Sequence, residues 1–93
     1  MFLITFTYRA PLATIDELKD EHYTNPDGLF AQGLVRLAGR MEPRTGGLVI
    51  AEGSRKAVEA AVASDPFVIA GAAEARIVEF HPTWGDLATP AAS

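Results

Sequence analysis

The chain has 93 residues, which is enough for one domain with one hydrophobic core. Hydrophobic residues make up 48% and charged residues 22%, as in globular proteins and unlike disordered or membrane-spanning chains. The net charge is -4 and there is no basic stripe, so nucleic acid is not expected as a partner. Cysteine is absent, which excludes disulfides, thiolate nucleophiles and thiolate zinc ligands.

The apolar start MFLITFTYRA does not have the pattern of a signal peptide. No basic segment precedes its apolar run, and that run is short and rich in threonine. No segment of the sequence approaches the apolar length needed to cross a bilayer. We therefore expect a cytoplasmic protein without a membrane partner.

The first elements in chain order are a strand and a helix. Residues 2–8 are rich in β-branched and aromatic side chains, and one face of this strand carries Phe2, Ile4, Phe6 and Tyr8. Thr14 followed three residues later by Glu17 is a capping-box pattern, which predicts a helix starting near Ile15.

One face of this helix points toward the expected core. Ile15, Leu18 and His22 are spaced i, i+3, i+7, so His22 lies where a core residue would. Pro26 in the stretch YTNPDG removes a backbone donor and predicts a break within one turn of His22, with Asn25 capping a new turn. Such a break could open space beside the imidazole.

The second half of the chain predicts a hairpin, a helix, a short turn and a last strand. Val35, Leu37 and Met41 alternate with charged residues, and GGLVIAEG follows as the hairpin partner. Ser54 caps a helix whose small-residue stripe suits close packing on a sheet and comprises Ala57, Val58, Ala61 and Val62. Asp65 and Pro66 begin a short turn, and EARIVEFH alternates as a strand.

The order β-α-β-β-α-β predicts an α+β fold of the ferredoxin-like type, with two helices on one face of a four-stranded antiparallel sheet. We expect the first and last strands at its centre, a domain over residues 1–84 and a flexible tail over residues 85–93. Helices cover only one face of such a sheet, and the other face also carries apolar groups. A homodimer joined sheet to sheet would cover them.

Several of these motifs together resemble the YCII-related (YciI-like) family over residues 1–81. They are His22 eleven residues before Gly33, then LAGRMEPRTGGLVI, the helix from Ser54, and SDPFVIAG before the last strand. The resemblance implies a dimeric α/β-barrel assembly, with His22 and Asp65 as an active-site dyad. Few members of the family have an assigned reaction, and one is a dehydrochlorinase of chlorinated hydroxyhydroquinone. This chain has Lys19 where an arginine is typical.

The residue types of this dyad suit acid–base chemistry. An imidazole can take and return a proton, and a carboxylate on its other nitrogen fixes the tautomer. The first hypothesis is a cofactor-free enzyme in which His22 is the general base, oriented by Asp65, for isomerisation or elimination on a small cyclic or aromatic molecule. The second is a ligand-binding or dimeric assembly module in which the pair is a structural strut.

Each candidate residue also has a structural interpretation. His22 could be a core histidine bonded to a nearby acceptor, and Asp65 could simply be the N-cap before Pro66. Arg40 and Arg44 flank a turn, where they could be solvated hairpin charges or could hold an anionic ligand. No motif indicates a metal site or a cofactor, because His22, Asp65 and His81 lack the close spacing of metal ligands.

Overall fold

The computed structural model describes residues 1–87, and in this range the predicted order of elements is confirmed. The short turn predicted at Asp65 and Pro66 is a one-turn helix between the second long helix and the last strand. The strands are β1 (Phe2–Tyr8), β2 (Val35–Arg40), β3 (Gly46–Ala51) and β4 (Ala73–Glu79), and the helices are α1 (Leu12–Thr24), α2 (Arg55–Ala63) and α3 (Pro66–Ile69). No helix in this range is long and apolar enough to span a membrane. Most of the predicted tail, residues 88–93, lies outside the described residues.

The four strands form one antiparallel sheet in the order β2-β3-β1-β4. The expectation that β1 and β4 lie at the centre is therefore wrong for β4, which is an edge strand. The reason lies in how the two βαβ units interleave. The crossover from β1 to β2 leaves a gap that β3 fills, and the crossover from β3 to β4 passes over β1, so the two central strands are β3 and β1.

The core lies between the sheet and the helices. β1 supplies Phe2, Ile4 and Phe6, all nearly inaccessible to solvent, as its alternation predicts. α2 adds Val58, Ala61 and Val62, whereas Ala57 of the predicted stripe is exposed. Ser54 caps α2 as expected, because its Oγ accepts a hydrogen bond of 3.1 Å from the backbone N–H of Ala57.

α1 begins three residues earlier than the capping-box pattern predicts. Leu12 is its first residue and Pro11, with φ of -58°, precedes it without a side-chain cap. The carbonyl oxygen of Pro11 accepts hydrogen bonds from the backbone N–H groups of Thr14 and Ile15, so the first turn of the helix has closed before Thr14 could serve as its cap. The helix ends at Thr24, which confirms the predicted break before Pro26.

A bulge in β2 changes the faces that its alternation predicts. The register shifts between Val35, which pairs with Ala51, and Leu37, which pairs with Ile50. The extra residue puts these two side chains on opposite faces of the sheet, so that Val35 packs against the core while Leu37 is 59% exposed.

The hairpin approaches β1 closely at Gly46. A Cβ atom at this position would lie 2.0 Å from the carbonyl oxygen of Phe6, which is far inside van der Waals contact. Glycine is therefore required where β3 begins.

The face of the sheet away from the helices carries an apolar row across all four strands. The pairing registers align Leu37, Ile50, Leu3 and Val78 in this order. At the two sheet edges, Leu37 and Val78 are more than half exposed. No helix within residues 1–87 covers this row.

Candidate active site

His22 and Asp65 are 43 residues apart in sequence, and the fold brings their side chains into contact. His22 lies in the last turn of α1, and Asp65 is the residue immediately before α3. The imidazole Nδ1 is 2.5 Å from Oδ2 of Asp65, and both residues are buried. The two groups are therefore close together, as the sequence predicts.

Both carboxylate oxygens of Asp65 are used. Oδ1 accepts a hydrogen bond of 2.8 Å from the backbone N–H of Phe67, which caps α3, while Oδ2 faces the imidazole of His22. The two interpretations of Asp65, cap and dyad partner, thus apply to the same side chain. A carboxylate is an acceptor only, so His22 donates from Nδ1–H, and in the neutral imidazole Nε2 is then the nitrogen that can accept a proton.

Four aromatic rings surround the imidazole. Phe67 stacks on it with a centroid separation of 4.3 Å and an interplanar angle of 14°. Phe6, Tyr23 and Phe30 approach it edge to face, with centroids 5.0 to 5.6 Å away. These contacts fix the ring orientation and keep most water away from the His22–Asp65 hydrogen bond, which strengthens it.

The remaining nitrogen of His22 faces a cavity of about 280 Å³. Nε2 has no hydrogen-bond partner within residues 1–87. Every fully buried polar side-chain atom in this range does have a partner. Nε2 is therefore not fully buried and is accessible from the cavity. This volume is just below the usual range for small-molecule sites, which begins at about 300 Å³. A molecule of roughly one ring would fit beside the imidazole.

Charged side chains also line the cavity. Lys19 of α1 and Arg40 of β2 line it together with Asp16 and Arg44, which form an ion pair. The hydrogen bond from the Arg44 guanidinium holds the pKa of Asp16 below its usual value, and the carboxylate raises the pKa of Arg44 in turn. The lining of the cavity therefore combines aromatic rings and the imidazole with cationic side chains.

A second contact fixes the distance between α1 and the start of α3. The side-chain amide of Asn25 donates to the backbone carbonyl of Ser64 at 3.0 Å and to its Oγ at 2.9 Å. Asn25 also accepts from the backbone N–H of Asp27, which is the capping role that the sequence predicts. Because Asn25 follows α1 and Ser64 precedes Asp65, this link positions the two halves of the dyad.

The sequence did not single out the aromatic rings or the Asn25–Ser64 link. The helical spacing does place Lys19, three residues earlier, beside His22, so that signal was available. Tyr23 is the next residue along the chain, and helical spacing does not predict its contact with the imidazole. Phe6, Phe30 and Phe67 come from three different parts of the chain, and no local pattern joins them. His81 is exposed beyond β4 and does not line the cavity. Residues 1–87 contain no cluster of three side chains that could ligate a metal.

Fold and site together define the class of protein. It is a ferredoxin-like α+β domain with a buried histidine–aspartate pair whose free nitrogen faces a small cavity. The chain belongs to the YCII-related domain family, whose model matches residues 1–81. The resemblance noted in the sequence is thereby confirmed.

A solved structure shares this fold. It is 5-chloro-2-hydroxyhydroquinone dehydrochlorinase (TftG) from Burkholderia phenoliruptrix AC1100, in complex with 2,5-dihydroxybenzoquinone. The TM-score is 0.66 at 19% sequence identity, over 86% of this chain and 93% of that one. At this identity the likeness shows a common architecture. Comparison with curated protein sequences gave no match.

Proposed function

We propose that this protein is a small enzyme that needs no cofactor and uses His22 as a general base, oriented by Asp65. The observation that carries the proposal is the 2.5 Å contact between His22 Nδ1 and Asp65 Oδ2, with Nε2 left open to the cavity. In this arrangement the carboxylate stabilises the imidazolium that forms when Nε2 accepts a proton.

The reaction class follows from what a lone base can do in such a cavity. Nε2 can take a proton from a phenolic hydroxyl or from a carbon next to a carbonyl, and His22 can return it at another atom of the same molecule. Return of the proton gives isomerisation, and loss of a leaving group such as chloride gives elimination. The fold shared with a dehydrochlorinase that binds a dihydroxybenzoquinone supports a small ring compound as substrate.

A direct test measures chloride release from 5-chloro-2-hydroxyhydroquinone, with hydrogen–deuterium exchange into small cyclic ketones as a second assay. Wild-type protein should exceed the uncatalysed rate, and the Asp65→Asn variant should lose about a hundredfold or more of that excess. Ser54→Ala, which removes an unrelated helix cap, should keep the wild-type rate. A dyad variant with full activity would contradict the proposal.

The second candidate is a ligand-binding or assembly module in which the pair is a strut. The observation that favours it is the burial of His22 among four rings, with Asp65 capping α3. Under this alternative, proton transfer is absent in every assay. His22→Phe would then cost only stability, because the paired carboxylate loses its donor.

We also propose that the protein is a homodimer joined through the open face of the sheet, as the dimeric α/β-barrel assembly requires. The apolar row from Leu37 to Val78 supports a second copy as the cover. Val78→Asp should shift the mass in light scattering from dimer to monomer. Ile69→Asp is the control, since Ile69 is 73% exposed on α3 and away from this face. A monomeric wild type would refute the assembly. A cytoplasmic location stays a prediction.

A further inference from the structure

The net charge of the side chains that line the cavity is opposite in sign to the net charge of the chain. Three cationic side chains line it, Lys19, Arg40 and Arg44, against one carboxylate, that of Asp16. The chain has a net charge of -4, so this excess of positive charge is local. A cleft with a net positive lining attracts anionic ligands.

Two of these cations have no carboxylate partner within residues 1–87. The ion pairs in this part of the chain involve Arg9, Arg36, Arg44 and Arg55, each with an Asp or a Glu. Arg44 is thus neutralised by Asp16. Lys19 and Arg40 form no ion pair here, and both line the cavity.

The two unpaired cations come from two different elements of the cavity wall. Lys19 is one helical turn before His22 on α1, and Arg40 is the last residue of β2. On the helix-facing side of the sheet, Arg40 is in register with Gly47, and Gly47 with Phe6. Because Gly47 has no side chain, open space runs from Arg40 across Gly47 to Phe6, whose ring contacts His22.

We propose that the substrate of this site is a small cyclic molecule with a carboxylate, which binds between Lys19 and Arg40 while its ring lies against His22. This inference rests on the proposed function of His22. A guanidinium matches the two oxygens of a carboxylate in a planar fork, and the ammonium adds a second positive charge. The aromatic side chains of the lining accept the ring.

A neutral ring of the same size fits the cavity less well. Lys19 and Arg40 are both exposed, so a neutral ring would leave them in water and gain nothing from their charge. A carboxylate beside them would form charge-assisted hydrogen bonds. It also holds the ring in one orientation, with the opposite end of the molecule toward Nε2.

The test compares 4-hydroxybenzoate with 4-hydroxybenzamide, which have nearly the same shape and differ in charge. Binding is followed by NMR at low ionic strength on the amide resonances of Gly47 in β3 and Phe67 in α3, which both line the cavity. Wild-type protein should bind the carboxylate about tenfold more tightly than the amide. Added salt should reduce this preference.

The double variant Lys19→Gln/Arg40→Gln should bind both compounds with the affinity of the amide. The control is Arg9→Gln/Lys56→Gln, which removes the same charge from exposed side chains that do not line the cavity and should keep the preference. Equal wild-type affinities, or a preference that survives the cavity double variant, overturn the carboxylate proposal and leave the role of His22 intact. If neither compound binds, the carboxylate proposal is also wrong. The role of His22 is tested by a separate experiment, the measurement of its tautomer in the Asp65→Asn variant.

Discussion

Substitution of Asp65 by Asn tests the dyad without knowledge of the substrate. The backbone N–H of Phe67 donates to Oδ1 of Asp65, so the oxygen of an asparagine would occupy that position to keep the cap of α3. Its NH2 group would then face Nδ1 of His22, which must become an acceptor. We therefore expect the imidazole to change tautomer, from Nδ1–H in wild type to Nε2–H in the variant.

The size of the effect follows from the geometry. A hydrogen bond to a charged group contributes about 1.5–3 kcal/mol, so the 2.5 Å contact should favour Nδ1–H over the other tautomer by roughly ten- to hundredfold. The variant loses charge but keeps its cap, so we expect a loss in stability of about 1–2 kcal/mol. For a domain of this size that lowers Tm by about 5–15 °C.

The assay is a ¹H–¹⁵N correlation of the histidine ring nitrogens at a pH of about 8.5, where an ordinary imidazole is neutral. His22 and His81 are the two histidines of the chain, and the exposed His81 serves as an internal reference. Ser54→Ala should lose similar stability, about 1 kcal/mol, without a change of tautomer. Persistence of Nδ1–H in Asp65→Asn, or Nε2–H in wild type, would refute the reasoning.

Three further predictions concern the hairpin, the ion pair and the interhelical link. Gly46→Ala should cost about 3 kcal/mol or more in urea unfolding, because its Cβ would meet a backbone oxygen at 2.0 Å, whereas Gly39→Ala, with open space around its Cβ, should be nearly neutral. Arg44→Gln should return the pKa of Asp16 upward in an NMR titration. The pKa of Asp16 in the folded state lies below its unfolded value of 3.8, so the ion pair stabilises the fold above about pH 4 and this stabilisation is lost as the pH falls. In the variant, this part of the decrease in stability at acid pH should be absent. Asn25→Ala removes two hydrogen bonds and should lower stability by about 1–2 kcal/mol in thermal unfolding, and an unchanged Tm would show that the link does not matter.

The sequence alone determined the features that depend on neighbouring residues. The two faces of β1 follow from strict alternation, and the caps at Ser54 and Asp65 follow from a side chain that bonds a backbone N–H two or three residues ahead. The break at Pro26 follows from a missing backbone donor. These signals are local, so they survive without knowledge of the fold.

Tertiary structure decided what distant segments do to one another. β4 lies at the sheet edge because the order of the strands depends on how the two crossovers interleave. The bulge in β2 places Leu37 on the open face of the sheet. The sequence indicated His22 and Asp65 as candidates, but their separation of 2.5 Å exists only because α1 and α3 pack together. The cavity that joins Nε2 to Lys19 and Arg40 is likewise a product of packing, since no spacing along the chain encodes an empty volume.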